Sequence, residues 1–148
     1  MRRPAVIATT LGAVVMLAIG LIPTSAEAQS HADLVWRQLN NHFTRESAQG
    51  YGSRNYIIGR MNDDASDSWT MSLPGGNTYK IIGACDSDCS DLDISIYEGE
   101  KMIVQDVLVD DVPIVNFNVA STAQIKIKVT MASCSANPCF FGIIVLYK

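Results

Sequence analysis

From Tyr56 to the C-terminus, apolar residues recur at every second position, and this period limits the fold more than any other feature of the chain. The clearest case is Ile125-Lys126-Ile127-Lys128-Val129-Thr130-Met131, in which one face is hydrophobic and the other carries Lys126, Lys128 and Thr130. Trp69/Met71/Leu73, Leu92/Ile94/Ile96 and Val115/Phe117/Val119 repeat the alternation. A strand with one apolar face must bury that face against a second layer, so the pattern predicts two sheets packed face to face. Strands are expected over 56–60, 69–73, 78–85, 92–97, 102–106, 114–119, 124–132 and 140–147. Turn signals separate them: Asn62-Asp63-Asp64, Pro74-Gly75-Gly76-Asn77, Glu98-Gly99-Glu100, Asp110-Asp111-Val112-Pro113 and Asn137-Pro138. About eight short strands at this spacing read as an all-β, antiparallel β-sandwich.

The last strand departs from the alternation. Phe140, Phe141, Ile143, Ile144, Val145 and Leu146 leave no polar side, so both faces need cover. The chain holds one candidate for that cover. Between Ser30 and Ser47, Ala32, Val35, Trp36, Leu39 and Phe43 recur at three- and four-residue steps among polar residues, which predicts a single amphipathic helix. Ser30 is the expected cap, and Gly50-Tyr51-Gly52 ends the pattern.

Residues 1–28 have the form of a secretory leader. Arg2 and Arg3 precede an apolar run from Ala5 to Ile22, then Pro23 and the small-x-small triplet Ala26-Glu27-Ala28. Cleavage after Ala28 is expected; an uncleaved membrane anchor is the alternative reading of the same run. Export by the general secretory route to the periplasm or the extracellular space follows, with no membrane span left after cleavage. Removal of two Arg and one Glu from the 11 basic and 15 acidic residues gives a mature net charge of −5. Nothing in that balance would neutralise nucleic-acid phosphates.

All four cysteines lie beyond the leader, as Cys85-x3-Cys89 and Cys134-x4-Cys139. An even count in an oxidising compartment reads as two disulfides. The local pairs 85–89 and 134–139 are favoured because each brackets a turn-like segment, with 85–139 and 89–134 as the alternative. Neither spacing is the C-x2-C of zinc or thioredoxin-like sites.

Between and beyond the first cysteine pair lie Asp86, Asp88, Asp91 and Asp93. Alternating carboxylates can converge on a hard cation, and these four are the candidate ligands for Ca²⁺. The run begins like an EF-hand loop but has Asp91 where the loop needs Gly and Tyr97 where it needs Glu. Asp91 and Asp93 are expected on an outward strand face, with Asp106, Asp110 or Asp111 approaching from a neighbouring loop. The competing reading is a solvated acidic turn whose side chains cap backbone N–H groups. His31 and His42 share one side of the helix, expected to face solvent or to pack beside Phe43. Neither a G-x-S-x-G elbow nor an H-E-x-x-H helix is present, so no catalytic residue is assigned. Tyr51, Tyr56 and Tyr97 offer an aromatic platform for sugar, or cross-strand packing partners.

The segments Ser68-Trp69-Thr70-Met71-Ser72-Leu73-Pro74-Gly75-Gly76-Asn77-Thr78-Tyr79 and Asp91-Leu92-Asp93-Ile94-Ser95-Ile96-Tyr97 resemble the bacterial pre-peptidase C-terminal (PPC) domain family. That family shows an L-x-x-G-x-x-Y turn, a D-L-D-L-x-L-Y strand and a later Y-x-I-x-V strand, here Ile125 to Val129 with Gln124 at the usual Tyr. The likeness covers residues 54–148, after a helix and linker at 29–53. It implies a jelly-roll-like sandwich of secreted bacterial proteins, commonly appended to peptidases and noncatalytic, with roles in secretion, solubility or substrate binding. No peptidase domain accompanies it here, and the cysteine pairs and helix are additional to the family pattern. The function expected is a binding or interaction module, with a protein or polysaccharide partner and a stabilising Ca²⁺. The alternatives are an envelope-associated accessory protein and a small hydrolase using surface carboxylates.

Overall fold

The computed structural model describes residues 25–148. Most of the expected leader lies outside the described residues, and its last four belong to the first helix. The chain runs through helix α1 (Ser25–Ser47) and eight strands: β1 (Gly52–Met61), β2 (Ser66–Leu73), β3 (Asn77–Cys85), β4 (Cys89–Glu98), β5 (Lys101–Asp106), β6 (Ile114–Val119), β7 (Ala123–Cys134) and β8 (Cys139–Tyr147). Every expected strand is present, several extended by one to four residues at an end. The helix starts earlier than the sequence pattern indicates. Ser30 lies inside it and does not cap it, since Ala26 and Ala28 carry strong helical propensity.

Two four-stranded sheets form, in the orders β1-β8-β3-β6 and β2-β7-β4-β5, and every neighbouring pair is antiparallel. The pairings β1 with β8, β2 with β7, β3 with β6 and β4 with β5 are those of one long hairpin rolled over on itself, which is the jelly-roll arrangement. Consecutive strands therefore alternate between sheets over most of the chain, and their connections cross the edge of the sandwich.

The inward faces make the main core, with Leu73, Ile81, Leu92, Ile94, Ile96, Ile127, Val129 and Ile143 fully buried. The L-x-x-G-x-x-Y turn has a direct physical role in closing it. Gly76 takes a left-handed φ of 81°, Leu73 and Tyr79 enter the core, and the Tyr79 hydroxyl donates to the Pro74 carbonyl at 2.9 Å.

A second core lies outside the first sheet. Val35 and Leu39 of α1 are fully buried against Ile82, Ala84, Ile144 and Leu146, so the helix covers the second face of β8. Its edge is finished by Trp36, whose ring packs 5.0 Å from that of Tyr56 on β1. At its C-terminal end Glu46 pairs with Lys80 of β3, and the left-handed Gly50 turns the chain into β1.

Candidate functional site

Two disulfides are present, Cys85–Cys89 and Cys134–Cys139, and they close the short loops at one end of the sandwich. The first spans the crossover from β3 in one sheet to β4 in the other. That position decides the fate of the four acids. Asp86 and Asp88 lie within the crossover, beneath the start of α1. Asp91 and Asp93 have already entered β4, where Leu92 and Ile94 take the core positions and the two carboxylates face outward from the second sheet. The cluster of ligand atoms found among the described residues joins Asp86 and Asp88 to His31, while Asp91 and Asp93 lie on β4.

Asp86 is the most deeply buried charged residue among the described residues, at 3% exposure. Burial of a carboxylate demands partners, and it has them: the Phe140 amide donates to Oδ2 at 2.9 Å and the Asp88 amide donates to Oδ1 at 3.3 Å. The Asp86 amide in turn donates to the Phe140 carbonyl at 3.0 Å. Asp88 is half-exposed, and its carbonyl accepts from the Ser135 amide and hydroxyl, which ties the two disulfide loops together.

His31 comes to this crossover from the helix. Its Nδ1 lies 3.0 Å from Asp86 Oδ2 and 4.0 Å from Asp88 Oδ2, and its ring is parallel to that of Phe140 at 6.0 Å. Asp86 Oδ2 is the nearest polar atom to this buried nitrogen, and the two form an ion pair whenever His31 carries a proton. A hollow of about 230 Å³ opens beside the three side chains, lined also by Ala28, Arg60 and the turn at 136–138. The expectation that His31 faces solvent or packs beside Phe43 is thus corrected. The separation of 55 positions between His31 and Asp86 hides the meeting from any local pattern. His42 is half-buried farther along the helix, where Arg45 donates to its Nδ1 at 3.0 Å. Burial first, and then the Arg45 charge, hold its pKa below the usual value.

Asp91 and Asp93 belong to a separate acidic surface. Burial raises the Asp93 pKa, and the nearby charges of Asp91, Asp106 and Asp110 raise it further, against the opposing pull of Lys128. These are the acids that the outward-face reading brings together.

Asp106 and Asp110 also bracket the most exposed apolar segment among the described residues, Val107-Leu108-Val109, at 51%, 68% and 86% exposure. The segment is held firmly. Asp106 accepts from the amides of Leu108 and Ile114 at 3.3 and 2.8 Å, and Asp110 accepts from that of Val112 at 3.0 Å. Below it, the Leu92 amide of β4 donates to the Asp110 carbonyl and the Gly83 amide of β3 donates to the Pro113 carbonyl, both at 2.9 Å. One apolar tip is thereby anchored to both sheets. The sequence reading ends a strand at Asp106 and marks a turn at Asp110, and it passes over this segment. The available signal is three consecutive apolar residues outside any alternation and flanked by Asp on both sides.

No family model matches the chain, and no curated protein sequence matches it. Among solved structures it is similar to a periplasmic lysozyme inhibitor of g-type lysozyme from Aeromonas hydrophila, with 10% identity and a TM-score of 0.50, over 66% of this chain and 89% of that one. It is also similar to the pre-peptidase C-terminal domain of a collagenase from Bacillus anthracis, with 13% identity and a TM-score of 0.49, over 64% of this chain and 90% of that one. At this identity the likeness is one of fold.

Proposed function

We propose that this chain is an exported, noncatalytic β-sandwich module that binds a protein partner through the Val107-Leu108-Val109 tip. The observation that carries the reading is the tip itself: three consecutive apolar side chains held out to solvent on a loop whose backbone is bonded to both sheets. Exposed apolar surface is costly to keep, and a rigid loop loses little conformational freedom on binding. Asp106, Asp110 and Asp111 surround it with negative charge, so the complementary surface is an apolar hollow with a basic rim. Two disulfides suit an oxidising compartment. The similarity in fold to a lysozyme inhibitor supports a protein as the partner, and makes g-type lysozyme the first to try.

The test uses the chain from Gln29 onward, wild type and Leu108→Asp. Its effect on g-type lysozyme activity is measured, and a photo-crosslinker at position 109 is exposed to envelope proteins of the exporting cell. Inhibition of lysozyme, or a discrete protein adduct, that is lost in Leu108→Asp supports the reading. An unchanged result in Leu108→Asp, the absence of both effects, or saturable binding to a glycan array in their place overturns it.

A further inference from the structure

We propose that His31, Asp86 and Asp88 form a binding site for a divalent transition-metal ion of the Zn²⁺ class. The inference is independent of the tip and its partner. One imidazole nitrogen and two carboxylate oxygens, from groups 55 and 57 residues apart in sequence, lie with their ligand atoms within 4.8 Å of one another. A tetrahedral zinc ion with ligands at about 2.0–2.2 Å separates those ligands by about 3.4 Å. The separations are 3.0 Å from His31 to Asp86, 4.0 Å from His31 to Asp88 and no more than 4.8 Å between the two carboxylates, so Asp88 must turn inward to complete the set.

The state of each donor fits. His31 Nδ1 is buried and its nearest neighbours are the two carboxylates, so its lone pair points into the same small volume as their oxygens. Asp86 is fixed as a ligand should be: two backbone amides hold the carboxylate in place, and each oxygen retains an unused lone pair. Asp88 is half-exposed and free to turn toward the ion. The adjoining hollow leaves room for the fourth position to be filled by water. Calcium fits this set poorly, since it takes six to eight oxygens and the site offers two carboxylates and a nitrogen. Arg60 on the rim of the hollow opposes a cation, but its side chain is exposed and can swing into solvent. Such an ion would pin the start of α1 to the β3–β4 crossover and to the disulfide loop within it.

The experiment titrates Zn²⁺ into the full-length protein, with the whole of α1 retained, by calorimetry and by thermal unfolding. Expected is saturable one-to-one binding with a rise in Tm that grows with zinc concentration. His31→Ala and Asp88→Asn each weaken binding by about 10–100-fold, while His42→Ala leaves it unchanged. Asp86→Asn disturbs the crossover backbone, so Asp88→Asn, at a half-exposed position, is the decisive variant. Absence of saturable binding, or equal affinity in wild type and Asp88→Asn, overturns the proposal.

Discussion

Gly142 of β8 lies directly against Leu39 of α1, so closely that a Cβ at position 142 would stand 2.8 Å from Leu39 Cδ1. The same Cβ would meet Val35 Cγ1 at 2.8 Å and the Ile57 carbonyl oxygen at 3.0 Å. Phe141 and Ile143 on either side face the main core, so Gly142 faces the helix. The absence of a side chain here lets α1 sit down on the sheet.

Gly142→Ala should therefore push the helix outward and cost about 1–3 kcal/mol in urea unfolding, the range of core overpacking. Trp36 fluorescence, read in a Trp69→Phe background, should shift with it, because Trp36 packs on Tyr56 only while the helix is seated. Stability within about 0.5 kcal/mol of the parent would show that the helix is not held at this point.

The Glu46–Lys80 pair fastens the other end of the helix. Both side chains are largely buried, at 13% and 15% exposure, and Lys80 Nζ also sits 4.7 Å from the centre of the Tyr51 ring. Removing one partner leaves the other charge poorly solvated. Glu46→Leu or Lys80→Met alone should cost about 2–3 kcal/mol, while the double substitution should recover a large part of that loss. Additive losses in the double-mutant cycle would mean the two charges are uncoupled.

Asp93 links stability to pH. Its pKa is raised in the folded protein, by burial first and then by Asp91, Asp106 and Asp110, so the folded state holds this proton more tightly than the unfolded chain does. The ionised group accordingly destabilises the fold above the raised pKa, and the penalty disappears as pH falls through that value toward the ordinary one. Asp93→Asn should raise Tm at pH 7 and make no difference below about pH 3, where Asp is protonated in both states. A Tm gain that persists unchanged at the acid end would assign the effect to something other than charge.

The eight strands and the covering helix were legible because each is written in a local period. Ile125 to Met131 announces one buried face, and Phe141 to Leu146 announces two. The disulfide pairing was legible for a similar reason, each pair closing a loop of a few residues. The acidic run shows where this kind of reading ends. Asp86, Asp88, Asp91 and Asp93 lie within eight residues of sequence, yet the crossover places the first two beneath the helix and the last two on β4 of the other sheet.

By itself, then, the sequence determined the element types, the need for a lid over β8, and the oxidised loops, since period, burial and short-range closure are properties of neighbouring residues. Only the tertiary structure decided that His31 meets Asp86 across 55 positions, and that Val107-Leu108-Val109 is held out to solvent by bonds to both sheets. Those relationships depend on which strands pair and where the helix docks. The long-range packing of a rolled hairpin settles both, and no local pattern records it.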